Sequence, residues 1–222
     1  MTKRIILWYV LGLLSASRNA ASATTLDFEG LPITFISSGG NLTPVPSSVL
    51  TANYQSLGVL FGRGGVSAGV AVVRDTLAPS SGLNSVVGLD AGGHIPGIEG
   101  TVAGDIYFSF VLPGSLTPGI TDSISFTIGD EGFDLDSFQI RAYNLADALI
   151  SSQNVSGVSR FPVNISVPGV HRVEVDFLPT DFGYSIDDLQ FVTPVPEPST
   201  FALFGIGAIS LLIRMKSKTG TA

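Results

Sequence analysis

The sequence of 222 residues contains no cysteine, which excludes disulfides and thiolate chemistry. A fold in an oxidising compartment would therefore depend on its hydrophobic core. Residues 24–198 contain no lysine and no tryptophan. Their basic residues are Arg63, Arg74, Arg141, Arg160 and Arg172, against 18 acidic residues, so this stretch has a formal charge of −13. Such a balance argues against nucleic-acid binding, which needs clustered cations. It favours either the binding of divalent cations or simple solubility.

Familiar catalytic constellations are also missing. There is no cysteine nucleophile, and His94 and His171 lack the spacing of metal ligands. The acidic stretch 129–136 is not an EF-hand loop, and we interpret it as a turn, with a second cation site as the alternative. We assign no catalytic residue and predict a non-enzymatic protein. A glycoside hydrolase, which needs two carboxylates across a cleft, is the least favoured alternative.

Residues 1–23 have the pattern of a secretory signal peptide. Lys3 and Arg4 precede an apolar run, Ile5–Leu14, and Ala21-Ser22-Ala23 supplies a small-x-small cleavage site. We expect cleavage between Ala23 and Thr24, and therefore export across the inner membrane.

The tail of the chain combines three features. Pro194, Pro196 and Pro198 predict an extended linker over residues 193–199 that is not part of a sheet. Residues 200–213 carry no charge and predict a transmembrane helix, although a typical span needs roughly 20 residues. Residues 214–222 predict a cytoplasmic tail whose cations flank the membrane: Arg214, Lys216 and Lys218. A buried terminal helix is the alternative.

The motif Pro196-Glu197-Pro198, followed by a short apolar segment and a basic terminus, resembles the PEP-CTERM sorting signal of Gram-negative bacteria that make exopolysaccharide. The resemblance implies recognition by a membrane-embedded exosortase, which processes the tail and transfers the body to the cell surface or extracellular matrix. It covers the tail only. A proline-rich linker to a plain membrane anchor is the alternative.

The body, residues 24–192, contains short segments in which apolar and polar residues alternate. Ile106, Phe108, Phe110 and Leu112 form one segment, and Ile124, Phe126 and Ile128 form another. Alternation of this kind between turn residues predicts half-buried antiparallel strands, which bury their apolar faces against one another. The sequence therefore predicts an all-β fold, an antiparallel two-sheet β-sandwich, flanked by a signal helix and a transmembrane helix.

The body resembles the jelly-roll sandwiches found in exported bacterial proteins and carbohydrate-binding modules, with Leu26–Gly30 as its first strand and Gly183–Phe191 as its last. The other stretches that carry this resemblance are Tyr54–Phe61, Ile124–Asp130 and Phe138–Tyr143. In that fold the first and last strands are commonly neighbours, and calcium is often held at their seam. The resemblance implies a structural calcium site whose carboxylates suit that ion: Asp27, Glu29, Asp187 and Asp188. Alternatively, these side chains form turns and protect strand edges.

The function predicted from these patterns is structural or adhesive, in an exopolysaccharide matrix. The alternative is a calcium-dependent carbohydrate-binding module, which would need exposed aromatic side chains on one concave sheet. Candidates for such a platform are Tyr54, Tyr107, Tyr143 and Tyr184, although tyrosines in strands are more often half-buried. The expected partners are an exosortase-type enzyme, the membrane and a polysaccharide, and not nucleic acid.

Overall fold

The structure is a computed structural model, and it describes residues 22–31, 35–38, 41–44, 49–62, 69–74, 81–90, 92–95, 104–130, 135–178 and 184–196. The predicted signal helix, transmembrane helix and basic tail lie outside these residues, as do Glu197, Pro198, Arg214, Lys216 and Lys218. Within the described ranges, no helix has the length and apolar character needed to cross a membrane.

The described part of the chain forms fourteen strands and one short 3-10 turn, Gln55–Leu57. The strands are β1 (Ala23–Leu26), β2 (Phe35–Ser38), β3 (Asn41–Pro44), β4 (Val49–Leu50), β5 (Val59–Phe61), β6 (Val70–Arg74), β7 (Asn84–Gly88), β8 (Ile106–Phe110), β9 (Thr121–Gly129), β10 (Leu135–Tyr143), β11 (Leu149–Val158), β12 (Phe161–Val170), β13 (Arg172–Phe177) and β14 (Ser185–Val192).

Twelve of these strands form two antiparallel sheets. The larger sheet has the order β12-β9-β14-β7-β6-β4, with β1 also paired to β14. The smaller sheet has the order β11-β10-β13-β8-β5, and β2 and β3 form a separate hairpin. The predicted fold class, an all-β antiparallel two-sheet sandwich, is confirmed.

The core lies between the two sheets and is rich in phenylalanine. Phe108 and Phe110 of β8 point inward, and their ring centroids are 6.2 Å from Phe126 of β9 and 5.1 Å from Phe191 of β14, respectively. All four rings are at most 2% exposed. Burial of one such side chain contributes roughly 1.5–3 kcal/mol, so these cross-sheet contacts hold the two layers together in the absence of disulfides.

Strand β14 lies inside the larger sheet. One of its edges pairs with β9, and the other pairs with β7 near Ile186 and with β1 from Leu189 to Val192. The first and last strands of the body are therefore neighbours. The predicted cleavage bond between Ala23 and Thr24 lies within β1, since these residues are opposite Val192 and Phe191.

Two segments differ from what the sequence predicts. The pattern extends to Leu112, but β8 ends at Phe110, because Val111 forms an isolated bridge with Pro118 across a tight turn. The linker predicted over residues 193–199 is described as far as Pro196, and Val195 forms an antiparallel bridge with Ile120. This part of the linker therefore pairs with the body.

Candidate functional site

A row of polar side chains crosses the outer face of the smaller sheet. Strand residues alternate between the two faces, so the inward positions of β10, β13 and β8 fill the core while the positions between them face outward. The strand register places Arg141 opposite Glu174 and Glu174 opposite Tyr107. Three residues distant in the sequence thus lie side by side.

We call this group and its contacts the polar cluster. It consists of Asp105, Tyr107, Gln139, Arg141, Tyr143, Asp147, Arg172, Glu174 and Asp176.

Arg141 joins three members of the polar cluster. Its Nη1 is 2.6 Å from Glu174 Oε1, its Nη2 is 2.7 Å from Asp176 Oδ2, and its Nε donates to Gln139 Oε1 at 2.6 Å. Burial opposes the charge of the guanidinium, but the two carboxylates outweigh it and raise the pKa of Arg141. The side chain is consequently fixed in one orientation by charge-assisted hydrogen bonds.

Glu174 lies at the centre of the polar cluster and is only 7% exposed. Besides Arg141, it accepts hydrogen bonds from the hydroxyl of Tyr107 at 3.3 Å and from the hydroxyl of Tyr143 at 2.9 Å. Nη1 of Arg172 lies 3.5 Å from Glu174 Oε2. A buried carboxylate needs this number of partners to offset the loss of its hydration.

Tyr143 and Arg172 form one end of the polar cluster. The guanidinium carbon of Arg172 is 3.8 Å from the centroid of the Tyr143 ring, a cation–π contact, and Nη2 of Arg172 donates to Asp147 Oδ1 at 2.9 Å. Burial, and then the carboxylate of Glu174, raise the pKa of Tyr143. Its hydroxyl therefore stays a neutral hydrogen-bond donor at physiological pH.

Asp105 and Tyr107 form the opposite end. The Tyr107 hydroxyl donates to Asp105 Oδ2 at 2.8 Å. Burial raises the pKa of Asp105, and the nearby carboxylates of Asp176 and Glu174 raise it further, although the Tyr107 hydrogen bond acts in the opposite direction. Asp105 thus takes up a proton more readily than an ordinary aspartate.

The four tyrosines considered as a sugar platform are not grouped together. Tyr184 lies in the core, where its hydroxyl donates to Gly104 O at 3.1 Å and to Val175 O at 3.0 Å. Tyr54 packs edge-on against Phe28, with ring centroids 5.6 Å apart. Only Tyr107 and Tyr143 belong to the outer face, and Tyr107 is 1% exposed. Of the two tyrosines on the outer face, Tyr143 is the one whose side chain is partly exposed.

The acidic residues predicted as calcium ligands lie around the end of β1 and within β14, and two of them hold the same turn. Glu29 Oε1 accepts hydrogen bonds from the backbone N–H groups of Leu83 and Asn84, both at 2.7 Å. Asp187 Oδ2 accepts one from the N–H of Ser81 at 2.9 Å. These two carboxylates therefore fix the segment that leads into β7.

The other two predicted ligands make local contacts. Asp27 Oδ1 accepts from the N–H of Glu29 at 3.2 Å, and the N–H of Asp188 donates to Asp187 Oδ1 at 2.7 Å. Asp188 adopts a left-handed φ of 51°, at an irregularity in the pairing of β14 with β9. Within the ranges described, no three His, Cys, Asp or Glu side chains are grouped so as to hold a metal ion. The calcium site remains a prediction.

Neither histidine side chain contacts the polar cluster through a hydrogen bond described here, although the backbone N–H of His171 donates to Tyr143 O at 2.8 Å. His94 Nδ1 is 3.3 Å from Asp90 Oδ2 in the same loop, and His171 Nδ1 is 2.9 Å from Gly119 O. His171 lies between β12 and β13.

The polar cluster was not predicted, although the sequence carries a weak signal for it. In β13 the outward positions are Arg172, Glu174 and Asp176, with valines between them, and in β10 they include Gln139 and Arg141. Charged residues at every second position of β13, and polar residues at such positions of β10, indicate polar outer faces. Pairing of the two strands, however, is a property of the fold.

Comparison with known proteins identifies the tail. Residues 194–217 match the family described as the PEP-CTERM protein-sorting motif, which confirms the resemblance predicted from the sequence and indicates an exported protein. The match does not extend to the sandwich. No curated protein matches the chain.

Solved structures similar to this chain include two adhesin domains and a carbohydrate-binding module. The K2 cleaved adhesin domain of Lys-gingipain shares 15% identity, with 77% of this chain and 98% of that chain covered and a TM-score of 0.43. The K1 cleaved adhesin domain from Porphyromonas gingivalis W83 shares 12%, with coverages of 77% and 97% and a TM-score of 0.39. The C-terminal family 22 carbohydrate-binding module of Clostridium thermocellum Xyn10B shares 15%, with coverages of 82% and 99% and a TM-score of 0.40. With identities of at most 15% and TM-scores of at most 0.43, these matches give no information on the ligand or activity of this protein.

Proposed function

We propose that this protein is an exported, surface-sorted β-sandwich that binds an extracellular polysaccharide through its polar cluster without cleaving it. Its role is structural or adhesive within an exopolysaccharide matrix. The observation that carries the proposal is the row of partly exposed side chains on β10, Gln139, Arg141 and Tyr143, two of which are held in place by the buried Glu174. The sorting motif in the tail supports its destination.

The polar cluster has the chemistry that sugar hydroxyls require. Carboxylates accept hydrogen bonds from hydroxyl groups, guanidinium and amide groups donate to them, and the ring of Tyr143 can stack on an apolar sugar face. The side chains are already held by one another, so a ligand loses little affinity to the ordering of side chains. Preorganisation of this kind favours binding by many weak contacts along a polymer.

The neighbouring strand extends this surface with neutral polar groups. On β11, next to β10, exposed positions include Ser152, Asn154 and Ser156. Gln139 Nε2 lies 3.4 Å from Asn154 Oδ1 and links this strand to the polar cluster. Nine residues of β10 extend for about 30 Å, which is long enough for several consecutive sugar units.

A glycoside hydrolase is the second candidate, and one observation favours it. Asp105 has a raised pKa, as the general acid of such enzymes needs. A second, ionised carboxylate would have to act from across a cleft, but Glu174 is engaged by Arg141 at 2.6 Å. The proposal of binding without cleavage therefore predicts no release of reducing sugar ends.

The binding test is affinity electrophoresis of the purified full chain in gels that contain the exopolysaccharide of the producing bacterium. We expect retardation of the wild type and weakening by about tenfold for Tyr143→Ala, the effect of losing one stacking contact. Gln190→Ala, an exposed position on the larger sheet, is the matched control and should migrate like the wild type. A folded wild type that is not retarded would refute the proposed function. Incubation of the same protein with the polysaccharide, followed by a reducing-end assay, decides between binding and hydrolysis.

The sorting step is tested separately by intact mass and membrane partition, in strains with and without the exosortase. We expect a mature form that begins at Thr24 and ends near Pro198, released from the membrane only when the enzyme is present. A tail that persists unprocessed in both strains would leave a plain membrane anchor.

A further inference from the structure

The residues just before the sorting motif are bound to the folded body. The N–H of Val195 donates to Ile120 O at 3.0 Å, and the N–H of Ile120 donates to Val195 O at 2.9 Å. On the other side, the N–H and the hydroxyl of Thr193 donate to Ser22 O at 2.9 and 2.8 Å. Ser22 precedes the expected cleavage bond, so the segment Thr193–Val195, which we call the docking segment, is held on both sides before signal cleavage and by the hydrogen bonds with Ile120 afterwards.

Two glycines make room for the proline at the centre of the docking segment. Pro194 is buried, and a Cβ atom added to Gly58 would come within 2.9 Å of Pro194 Cδ and of Val111 O. A Cβ atom added to Gly119 would come within 2.9 Å of Pro194 Cβ. Contacts this short do not occur in folded proteins, so only glycine at these two positions lets the body accept the proline ring.

Docking ends immediately before the motif. Val195 is 55% exposed, and the next residue, Pro196, is exposed and is the first residue of Pro196-Glu197-Pro198. No free residue separates the last anchored position from the recognition element. An enzyme that binds the motif as an extended peptide would therefore meet a folded sandwich one residue away.

We propose that the docking segment is an autoinhibitory contact, and that processing of the tail requires Thr193–Val195 to detach from the body. This inference rests on the proposed sorting function. The sorting enzyme gains access to both sides of the motif only in the detached state, so the rate of processing is reduced by the fraction of molecules that are docked. Detachment and not recognition would then limit the release of the mature protein.

The test is a pulse-chase measurement of tail processing for full-length variants in a strain that carries an exosortase. Val195→Pro removes the N–H that donates to Ile120 and leaves the core of the body unchanged. We expect faster processing by about fivefold, the effect of one net hydrogen bond on the docking equilibrium. Val195→Thr is the matched control, because it keeps the N–H group and the β-branched shape, and it should behave like the wild type.

A second variant distinguishes the effect of detachment on the processing rate from an effect of the altered residue next to the motif. Insertion of four Gly-Ser residues between Val195 and Pro196 keeps the segment docked but adds free chain, and it should reach the same faster rate. Combining the insertion with Val195→Pro should give no further increase. Equal rates for the wild type, the insertion and Val195→Pro would overturn this inference and leave the sorting function intact. Absence of processing in every variant would overturn both.

Discussion

Removal of the Glu174 carboxylate tests whether the polar cluster also holds the smaller sheet together. Glu174 is 7% exposed, pairs with Arg141 at 2.6 Å and accepts hydrogen bonds from Tyr107 and Tyr143. Glu174→Ala would leave the hydroxyls of Tyr107 and Tyr143 and the guanidinium of Arg141 without their shared acceptor. Breaking a buried ion pair by removing one partner costs about 3–5 kcal/mol.

For a domain of this size, each kcal/mol corresponds to about 2–4 °C in Tm, so Glu174→Ala should unfold roughly 10 °C below the wild type. The assay is thermal unfolding followed by circular dichroism. Asp147→Ala is the matched control, because the Asp147 side chain is 66% exposed and its ion pair with Arg172 contributes about 1 kcal/mol at most. A loss of less than about 1 kcal/mol for Glu174→Ala, or an equal loss for both variants, would refute the reasoning.

Three further predictions concern single contacts. Tyr184→Phe removes a buried hydroxyl that donates to two carbonyls, and we expect a loss of about 1–2 kcal/mol in chemical denaturation, whereas an unchanged midpoint would contradict the hydrogen-bond assignment. Asp105 has a pKa raised by burial and by Asp176, so its stabilising contribution is complete below the unfolded-state pKa and is lost as the pH rises through the folded-state pKa. Asp105→Asn should therefore raise the Tm at pH 7 and not at pH 3, and a gain of equal size at both pH values would show that charge is not the cause. If calcium binds near Glu29 and Asp187, millimolar calcium should raise the Tm of the wild type relative to EDTA but not that of Asp187→Asn, and identical wild-type values in both buffers would rule the ion out.

The fold was predictable because the alternation of apolar residues is a local property of the chain. Phe108 and Phe110 in β8, and Phe126 in β9, lie in the core as their spacing predicted. The extent of a strand depends also on what pairs with it. Leu112 continued the pattern of β8, but the bridge of Val111 with Pro118 ends the strand at Phe110.

The candidate site was less predictable because it depends on strand pairing. Glu174 lies 33 residues from Arg141 and 67 from Tyr107, and only the register of three strands brings these side chains together. For the acidic residues near the two ends of the body, the resemblance to jelly rolls correctly implied that the first and last strands are neighbours. It did not predict that the turn before β7 would bind the carboxylates of Glu29 and Asp187.

The position of β14 has a mechanical consequence if, as proposed, the outer face binds a polymer while the chain is held at its C-terminal end. Tension applied at the C-terminal tail enters the body through Val195 and passes directly into β14 along the direction of that strand. Because β14 is paired with β9 on one edge and with β7 and β1 on the other, such a pull loads several rows of hydrogen bonds in shear at the same time. Rows loaded in shear must break together, whereas a strand peeled from one edge gives way one hydrogen bond at a time. If the mature protein stays attached through its C-terminal end, the attachment point therefore lies where the sandwich resists extension best.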